Sequence, residues 1–253
     1  MSERLEGVGL RSVYKATPVT VGGVRCKPDR AMTPAYITIH NTANPNADAR
    51  DHYNAQTQGH LGSMQMAVHY YVDDGDTIYQ CLRDLEQGWH AGDGRGPGNS
   101  KSISIEVCEK TGSDQAKAEA HAAALTADLI LQRNIPVDHV VPHKHWTGKN
   151  CPHLILPHWE KFMAQVRYYV ALFEGKTPEA QPGTLYRVQV GAYKQYENAE
   201  RMQQTIRGLG YADAFIQLAD GWYKVQVGAF SVRENAQKRL DELAAKGYEA
   251  IIV

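Results

Sequence analysis

An internal repeat restricts the fold of the C-terminal part of the chain. The segment Arg187–Tyr193, RVQVGAY, returns as Lys224–Phe230, KVQVGAF, at an offset of 37 residues, and Gly210-Tyr211 returns as Gly247-Tyr248 at the same offset. Each copy reads as a strand, a helix and a second strand, so two copies predict a βαββαβ, α+β sandwich. About 70 residues suffice for a small independent domain of this kind.

A short breaker-rich segment precedes the repeat. Residues 175–183 read GKTPEAQPG, and two prolines and two glycines in nine residues predict a linker. We therefore expect a first domain over residues 1–174 and a second over residues 184–253. All eleven histidines lie between His40 and His158, which indicates that the two parts do different chemistry.

Upstream of the linker, strand patterns alternate with helix patterns. Because some of these strands are joined as hairpins, the sequence predicts an α/β domain with a mixed sheet. The strand predictions are Tyr36–His40, Met66–Val72, Thr77–Cys81 and Ser102–Cys108. The helix predictions are Asp48–Gln58, Asp114–Arg133 and an amphipathic helix that begins near Trp159 and closes the domain.

Charge, cysteine content and hydropathy exclude several classes of protein. A net charge of −1 argues against a constitutive nucleic-acid or membrane-surface coat protein, which would be basic. The four cysteines form no CxxC pair, so a disulfide scaffold is not expected. No apolar stretch reaches ~18 residues, so no membrane insertion is expected. The start, MSERLEGVGL, lacks the apolar region of a secretory signal, and we expect synthesis in the cytoplasm.

Three side chains have the chemistry and placement of zinc ligands. His40 ends a predicted strand, His143 follows Val-Val-Pro at another predicted strand end, and Cys151 lies eight residues further on. Catalytic zinc needs three protein ligands and an open fourth position, which two strand ends and a loop can provide. His145 and His153 are rival ligands, because both lie near Cys151 in the sequence.

Four motifs of the first domain carry a family resemblance. In chain order they are ITIHNTA, WHAGDG, SISIEVCE and PHKHWTGKNCP. Together, from about Met32 to Leu156, they resemble the zinc-dependent N-acetylmuramoyl-L-alanine amidases of the phage endolysin and bacterial autolysin type. The resemblance implies one Zn²⁺ per catalytic domain, held by His40, His143 and Cys151. It also implies hydrolysis of the amide between N-acetylmuramic acid and L-alanine in peptidoglycan.

The same resemblance assigns the acid–base chemistry. It implies that Glu106 is the catalytic glutamate and Lys149 the catalytic lysine. On pattern alone, a solvated strand residue is the stronger interpretation of Glu106, and an ordinary exposed lysine is the stronger interpretation of Lys149. Some family members carry a catalytic tyrosine where this chain has Val68, so this chain would depend on Glu106. Trp89 and His90 are expected to line the substrate groove.

The repeat resembles the SPOR domain, a peptidoglycan-binding module with a ferredoxin-like βαββαβ fold. The valines of its signature strands should face the helices, and the outward side chains should be able to contact glycan strands. Those outward candidates are Arg187, Gln189, Lys224 and Gln226. An RNA-recognition domain is the alternative for this topology, but the near-neutral charge and the lack of an RNA-type aromatic motif disfavour it, so no nucleic-acid partner is expected.

These observations predict a modular, monomeric cell-wall lytic amidase, either a phage endolysin or a bacterial autolysin, that acts at the bacterial wall after release. Two other interpretations stay open at this stage. The first is a peptidoglycan receptor that binds without cutting, and the second is a zinc peptidase that cuts within the stem peptide.

Overall fold

The structure is a computed structural model that describes residues 2–176, 185–230 and 233–253. The chain forms two compact units, Met1–Lys176 and Thr177–Val253. The division falls within the segment 175–183, most of which lies outside the described residues. Among the described residues, no helix has both the length and the apolar character that crossing a membrane requires.

A mixed six-stranded sheet forms the centre of the first unit. Its strands are β1 (Arg11–Tyr14), β4 (Tyr36–Asn41), β5 (Tyr70–Val72), β6 (Thr77–Gln80), β7 (Ser102–Val107) and β8 (Val140–Pro142), in the order β1-β6-β5-β7-β4-β8. Strand β4 runs parallel to β7 and β8, and β5 runs parallel to β7 but antiparallel to β6. A separate hairpin pairs β2 (Thr20–Val21) with β3 (Val24–Arg25).

Helices cover both faces of this sheet. They are α1 (Glu3–Gly7), α2 (Ala49–Thr57), α3 (Pro97–Lys101), α4 (Gln115–Arg133), α5 (Lys144–Thr147) and α6 (Trp159–Phe173). On one face, apolar side chains of β4 and β7 share a core with α4 and α6; Ile103, Leu129 and Phe162 are among its buried residues. Each such side chain contributes about 1.5–3 kcal/mol through burial. Helix α2 packs with β5 and β6.

The starts of two predicted helices agree with the structure, because an aspartate side chain caps the first turn of each. The Asp48 side chain accepts a hydrogen bond from the Asp51 backbone N–H, and the Asp51 side chain accepts one from the Asp48 N–H, which makes a capping box before α2. The Asp114 side chain accepts from the Lys117 N–H at the start of α4.

The predicted strand Met66–Val72 is shorter in the structure, where only Tyr70–Val72 pair as β5. The reason is a side chain that takes the place of a neighbouring strand. The Gln56 amide accepts a hydrogen bond from the Val68 N–H at 3.1 Å and donates one to the Val68 carbonyl at 2.9 Å. Both the N–H and the C=O of Val68 thereby have hydrogen-bond partners without pairing to another strand.

The second unit has the predicted βαββαβ order. Its elements are β9 (Tyr186–Tyr193), α7 (Tyr196–Gly208), β10 (Ala214–Ala219), β11 (Trp222–Phe230), α8 (Arg233–Ala245) and β12 (Ile251–Ile252). The strands form an antiparallel sheet in the order β10-β11-β9-β12. The signature valines are buried against the helices, as predicted; they are Val188, Val190, Val225 and Val227.

The expected exposure of Gln226 to solvent is wrong. Gln226 is only 3% exposed, and its Oε1 has no hydrogen-bond partner. It lies in the inner strand β11, with Phe215 and Gln189 as register partners on either side, and their side chains share its face. The register of β11 against β9 also shifts on both sides of Gln226, so the pairing is irregular there. The other three candidates, Arg187, Gln189 and Lys224, are half-buried.

Candidate metal centre and active site

The carboxyl ends of three parallel strands bring the predicted site together. His40 is the second-last residue of β4, and His143 directly follows β8. The His143 N–H donates to the Ile39 carbonyl at 3.1 Å, which extends the β4–β8 pairing to the site. On the other side of β4, Glu106 of β7 is the register partner of His40. The candidate ligands and the candidate base therefore meet at one sheet edge because these strands run in the same direction.

His40, His143 and Cys151 form a compact group of potential metal ligands. Their ligand atoms lie within 4.8 Å of one another, and all three residues are buried. The two Nδ1 atoms of His40 and His143 are 3.1 Å apart, and the Cys151 Sγ is 3.9 Å from His40 Nδ1. Within the described residues this is the one group of three or more His, Cys, Asp or Glu side chains that could hold a metal ion. Two imidazoles and a thiolate suit zinc and leave a coordination position for water.

The two rival histidines have other neighbours. His145 is exposed and packs edge-on against Trp146. His153 places its Nε2 3.5 Å from the Glu109 carboxylate. Neither belongs to the group of potential ligands.

A tight loop delivers Cys151. The Cys151 N–H donates to the Lys149 carbonyl at 2.7 Å, and the Lys144 N–H donates to the Cys151 carbonyl at 2.9 Å. The Asn41 side chain at the end of β4 accepts from the Leu154 N–H at 3.0 Å. These bonds tie the loop to α5 and to β4, so the thiol and His40 are held by the same strand end.

Burial shifts the pKa of each of the three candidate ligands. It lowers the pKa of His40 well below the usual value, and nearby His90, His143 and Lys149 lower this pKa further. Burial also lowers the pKa of His143. Neutral imidazole is the form that binds a metal. The pKa of Cys151 is raised to about 11, chiefly by burial and then by the charge of Glu106, so the thiol without a metal is protonated at neutral pH.

Glu106 is buried beside the ligand group. It is 8% exposed, its Oε1 lies 4.0 Å from His40 Nδ1, and its Oε2 has no hydrogen-bond partner. Burial raises its pKa to about 7, while Lys149 lowers this pKa and Glu109 raises it. A carboxylate with a pKa near neutrality is suited to accept and return a proton. Its burial rules out the alternative of a solvated strand residue.

Lys149 lies near this group, and Trp89 directly precedes His90 in the chain. Lys149 is exposed in the loop before Cys151, and its charge affects the pKa of both His40 and Glu106. Trp89 is partly exposed, and its backbone exchanges two hydrogen bonds with Ala67, at 2.9 and 3.0 Å. Both residues are therefore at least partly exposed to solvent.

His90 makes a contact that the sequence interpretation did not include. Its Nδ1 lies 3.2 Å from His40 Nε2, and its Nε2 lies 3.3 Å from the Ser102 carbonyl. His143 is held in a similar way, with Nε2 2.9 Å from the Ala91 carbonyl. Asn99 is a second residue that sequence reasoning missed; its Oδ1 accepts from the N–H groups of both His90 and Ala91. Nothing in the sequence marks Asn99, because its role depends on a loop conformation.

Two further buried titratable residues near the sheet, His69 and Cys108, make structural contacts. His69 hydrogen-bonds the Ser104 hydroxyl and the Glu86 carbonyl, at 2.9 and 2.8 Å. All four cysteines are free and buried. Cys108 packs in an apolar cluster with Tyr71 and Cys81, and burial raises its pKa well above the usual value.

The second unit has an exposed face around β11. Lys224 pairs with Asp220 at 2.9 Å. Trp222 is 39% exposed, and the Lys194 Nζ lies 4.0 Å from its ring centroid. An exposed aromatic ring of this kind can stack on a sugar or another planar group, and the sequence interpretation did not include Trp222.

The first unit thus defines a mixed-sheet α/β domain with a His-His-Cys group at the carboxyl edge of its parallel strands. Two family models match the chain. The model described as N-acetylmuramoyl-L-alanine amidase matches residues 30–154, and the model described as SPOR domain matches residues 182–253. The chain belongs to the N-acetylmuramoyl-L-alanine amidase family and carries a C-terminal SPOR domain.

Curated relatives from Bacillus subtilis (strain 168) resemble the first unit. The N-acetylmuramoyl-L-alanine amidase CwlH is 47% identical over 140 residues, which cover 54% of this chain and 54% of CwlH. XlyA, described in the same words, is 46% identical over 146 residues, which cover 57% of this chain and 48% of XlyA. The chain thus spans about half the length of the curated relatives it matches.

Solved structures extend the similarity to the fold. The catalytic domain of XlyA is 43% identical, with a TM-score of 0.57, over 62% of this chain and 99% of that domain. The structure of PlyL is 33% identical, with a TM-score of 0.53, over 63% of this chain and 98% of the PlyL chain. The mixed α/β fold expected from the sequence is confirmed.

Proposed function

We propose that this protein is a peptidoglycan hydrolase that cleaves the amide bond between N-acetylmuramic acid and L-alanine. The observation that carries the proposal is the group of His40, His143 and Cys151 beside the buried carboxylate of Glu106. The donor set fits one Zn²⁺, because two neutral imidazoles and one thiol that can ionise converge on a common point. When bound there, zinc polarises the scissile carbonyl and lowers the pKa of its water toward ~7.

Glu106 acts as the general base in this proposal. Its carboxylate takes a proton from the attacking water as the new C–O bond forms at the lactyl carbonyl. It then returns the proton to the alanine nitrogen as the C–N bond breaks, so that atoms and charge balance. A pKa near 7 allows both transfers at neutral pH. Val68 offers no alternative acid–base group at the position where some family members have a tyrosine.

Lys149 and Trp89 act on the substrate. The Lys149 ammonium, two residues before Cys151, stabilises the negative charge that develops on the carbonyl oxygen. Trp89 supplies a partly exposed aromatic ring for contacts with sugar or peptide. The role of Lys149 is supported by its effect on the pKa of both His40 and Glu106, and that of Trp89 by the partial exposure of the residue.

The second unit anchors the enzyme to the wall. We assign catalysis to residues 1–174, a linker to 175–183 and glycan binding to 184–253, with Arg187, Gln189 and Lys224 on the binding face. Tethering to insoluble peptidoglycan raises the local concentration of the catalytic unit at the bacterial wall, where we expect the monomer to act. Because the amidase removes stem peptides, an anchor that prefers stripped glycan would hold the enzyme on its own product.

Digestion of purified peptidoglycan by the zinc-loaded full chain tests this function. An amidase releases peptides with a free L-alanine N-terminus and leaves free lactyl groups on the glycan, and both are identified by mass spectrometry. New ends inside the stem peptide would identify a peptidase instead. Binding to the wall without any product would identify a receptor, and either of these two results would overturn the proposal.

A further inference from the structure

We propose that His90 and the Ala91 carbonyl form one orienting element for both histidine ligands, in which His90 is a positioning residue for His40. This inference rests on the zinc site proposed above and concerns how the chain prepares it. It assigns to His90 a role different from the substrate contact that the sequence suggests.

The geometry around His40 determines which of its nitrogens carries the proton. His40 Nδ1 faces the other ligand atoms, 3.1 Å from His143 Nδ1 and 3.9 Å from the Cys151 Sγ. A nitrogen that binds a metal must offer its lone pair, so the proton of neutral His40 must be on Nε2. His40 Nε2 lies 3.2 Å from His90 Nδ1, which must therefore be the acceptor.

The next contact completes the assignment. If His90 accepts at Nδ1, its own proton is on Nε2, which lies 3.3 Å from the Ser102 carbonyl oxygen. A carbonyl oxygen can only accept, so Ser102 favours the required tautomer of His90. His40 thus donates to His90, and His90 donates to the backbone carbonyl of Ser102 in β7. Each of the two imidazoles therefore carries its proton on Nε2.

The same short segment holds the second histidine. His143 Nε2 lies 2.9 Å from the Ala91 carbonyl, which again can only accept. The proton of His143 is thereby kept on Nε2, and Nδ1 is left to face His40. Adjacent residues of one segment therefore select the metal-binding nitrogen of both histidines.

Backbone contacts keep this segment in place. The Asn99 side chain accepts from the N–H groups of His90 and Ala91, at 2.8 and 2.9 Å, and it is 6% exposed. Gly88 permits the close approach, since a Cβ there would lie 2.8 Å from both the Ala67 carbonyl oxygen and His90 Cδ2. A partner that orients a metal ligand must itself be rigid, and these contacts supply that rigidity.

Zinc affinity of two matched variants tests the role of His90. His90→Asn retains a side-chain acceptor near the position of Nδ1, whereas His90→Leu removes it, and both lose the donor to Ser102. We expect the zinc dissociation constant, measured by competition with a chelator, to rise about 10–100-fold in the Leu variant. The Asn variant should restore most of the affinity. Equal affinities for wild type and the Leu variant would overturn the proposal.

A measurement on the wild-type protein removes dependence on the folding of the variants. In zinc-loaded protein with ¹⁵N-labelled histidine, long-range ¹H–¹⁵N spectra should show the proton of His40 on Nε2 and that of His90 on Nε2. A proton on Nδ1 of His90 would overturn the inference. If instead the His40→Ala and Cys151→Ser variants bind zinc as tightly as the wild type, the proposed zinc site itself is wrong. The failure of this inference and the failure of the proposed site are therefore distinguishable.

Discussion

Glu106 and His40 are register partners on adjacent parallel strands, and the Glu106 Oε1 lies 4.0 Å from His40 Nδ1. The strand pairing that builds the core therefore also sets the distance between the candidate base and a candidate zinc ligand. A change in the register of β4 against β7 would separate them, because a shift by one residue turns the side chain to the opposite face.

Glu106→Gln should abolish catalysis while it leaves the metal site intact. The amide is similar in size but cannot take a proton from water, so we expect turnover on peptidoglycan to fall about 10²–10⁴-fold. Zinc content should stay stoichiometric by elemental analysis. Glu160→Gln is the matched control, because that side chain is 88% exposed at the start of α6, and its activity should equal that of wild type. Comparable activity in Glu106→Gln would contradict the role of general base.

The stability of the metal-free protein should depend on Glu106 in a defined pH window. Burial raises its pKa from 4.5 to about 7 in the folded state. The protonated form therefore favours folding, and this contribution is fully present below pH ~4.5 and is lost as the pH rises through about 7. Glu106→Gln removes this dependence, so the free energy of unfolding of wild type relative to the variant should fall by up to about 3 kcal/mol between pH 4.5 and 8. Urea unfolding of both proteins at several pH values measures this difference in free energy. A difference that does not change with pH would contradict the raised pKa of Glu106.

Zinc binding should release the proton of Cys151. Burial and the charge of Glu106 raise the pKa of the thiol to about 11, so at neutral pH the proton must leave when the metal binds. We expect the apparent affinity for zinc to increase about tenfold per pH unit near neutrality from this one proton. Cys151→Ser should bind zinc far more weakly and lose the activity. Cys108→Ala serves as the control, because Cys108 packs in a separate apolar cluster.

Removal of residues 184–253 should separate wall binding from catalysis. Hydrolysis of whole walls should fall at least about tenfold, because the tether no longer raises the local concentration of enzyme. Cleavage of a small soluble muropeptide should stay close to the rate of the full chain, since the ligand group lies within the first unit. Pelleting with purified walls and assays on the two substrates compare these effects, and equal losses on both would argue against an anchoring role.

Gln226→Leu should distinguish a structural from a binding role for this buried side chain. Its Oε1 lacks a hydrogen-bond partner in a residue that is 3% exposed. Replacing the amide by an apolar group of similar size should stabilise the second unit by about 1 kcal/mol, because an unsatisfied polar atom is removed. If the melting temperature rises while wall binding stays unchanged, Gln226 makes no contribution to glycan recognition. A loss of binding at higher stability would instead identify it as a glycan contact.

Local patterns were sufficient for most of the elements. Asp48 and Asp114 mark helix starts because their side chains cap the first turn, which needs no information from the rest of the fold. The repeat predicts the βαββαβ order of the second unit because each copy carries its own strand and helix periodicity. The predicted strand at Val68 is too long, because hydrogen bonds from the Gln56 side chain of the preceding helix α2 replace strand pairing there.

The sequence by itself determined the types and spacing of the chemical groups, since His40, His143, Cys151 and Glu106 lie in recognisable motifs. Only the tertiary structure decided which nitrogen of each histidine ligand faces the site, which groups hold that imidazole, and how deeply the Glu106 carboxylate is buried. His90 and Asn99 show the physical reason. The His90 side chain joins a loop to His40 on a strand that is far away in the chain, and Asn99 of α3 holds that loop in place. Proton positions and burial depend on such tertiary contacts rather than on sequence pattern.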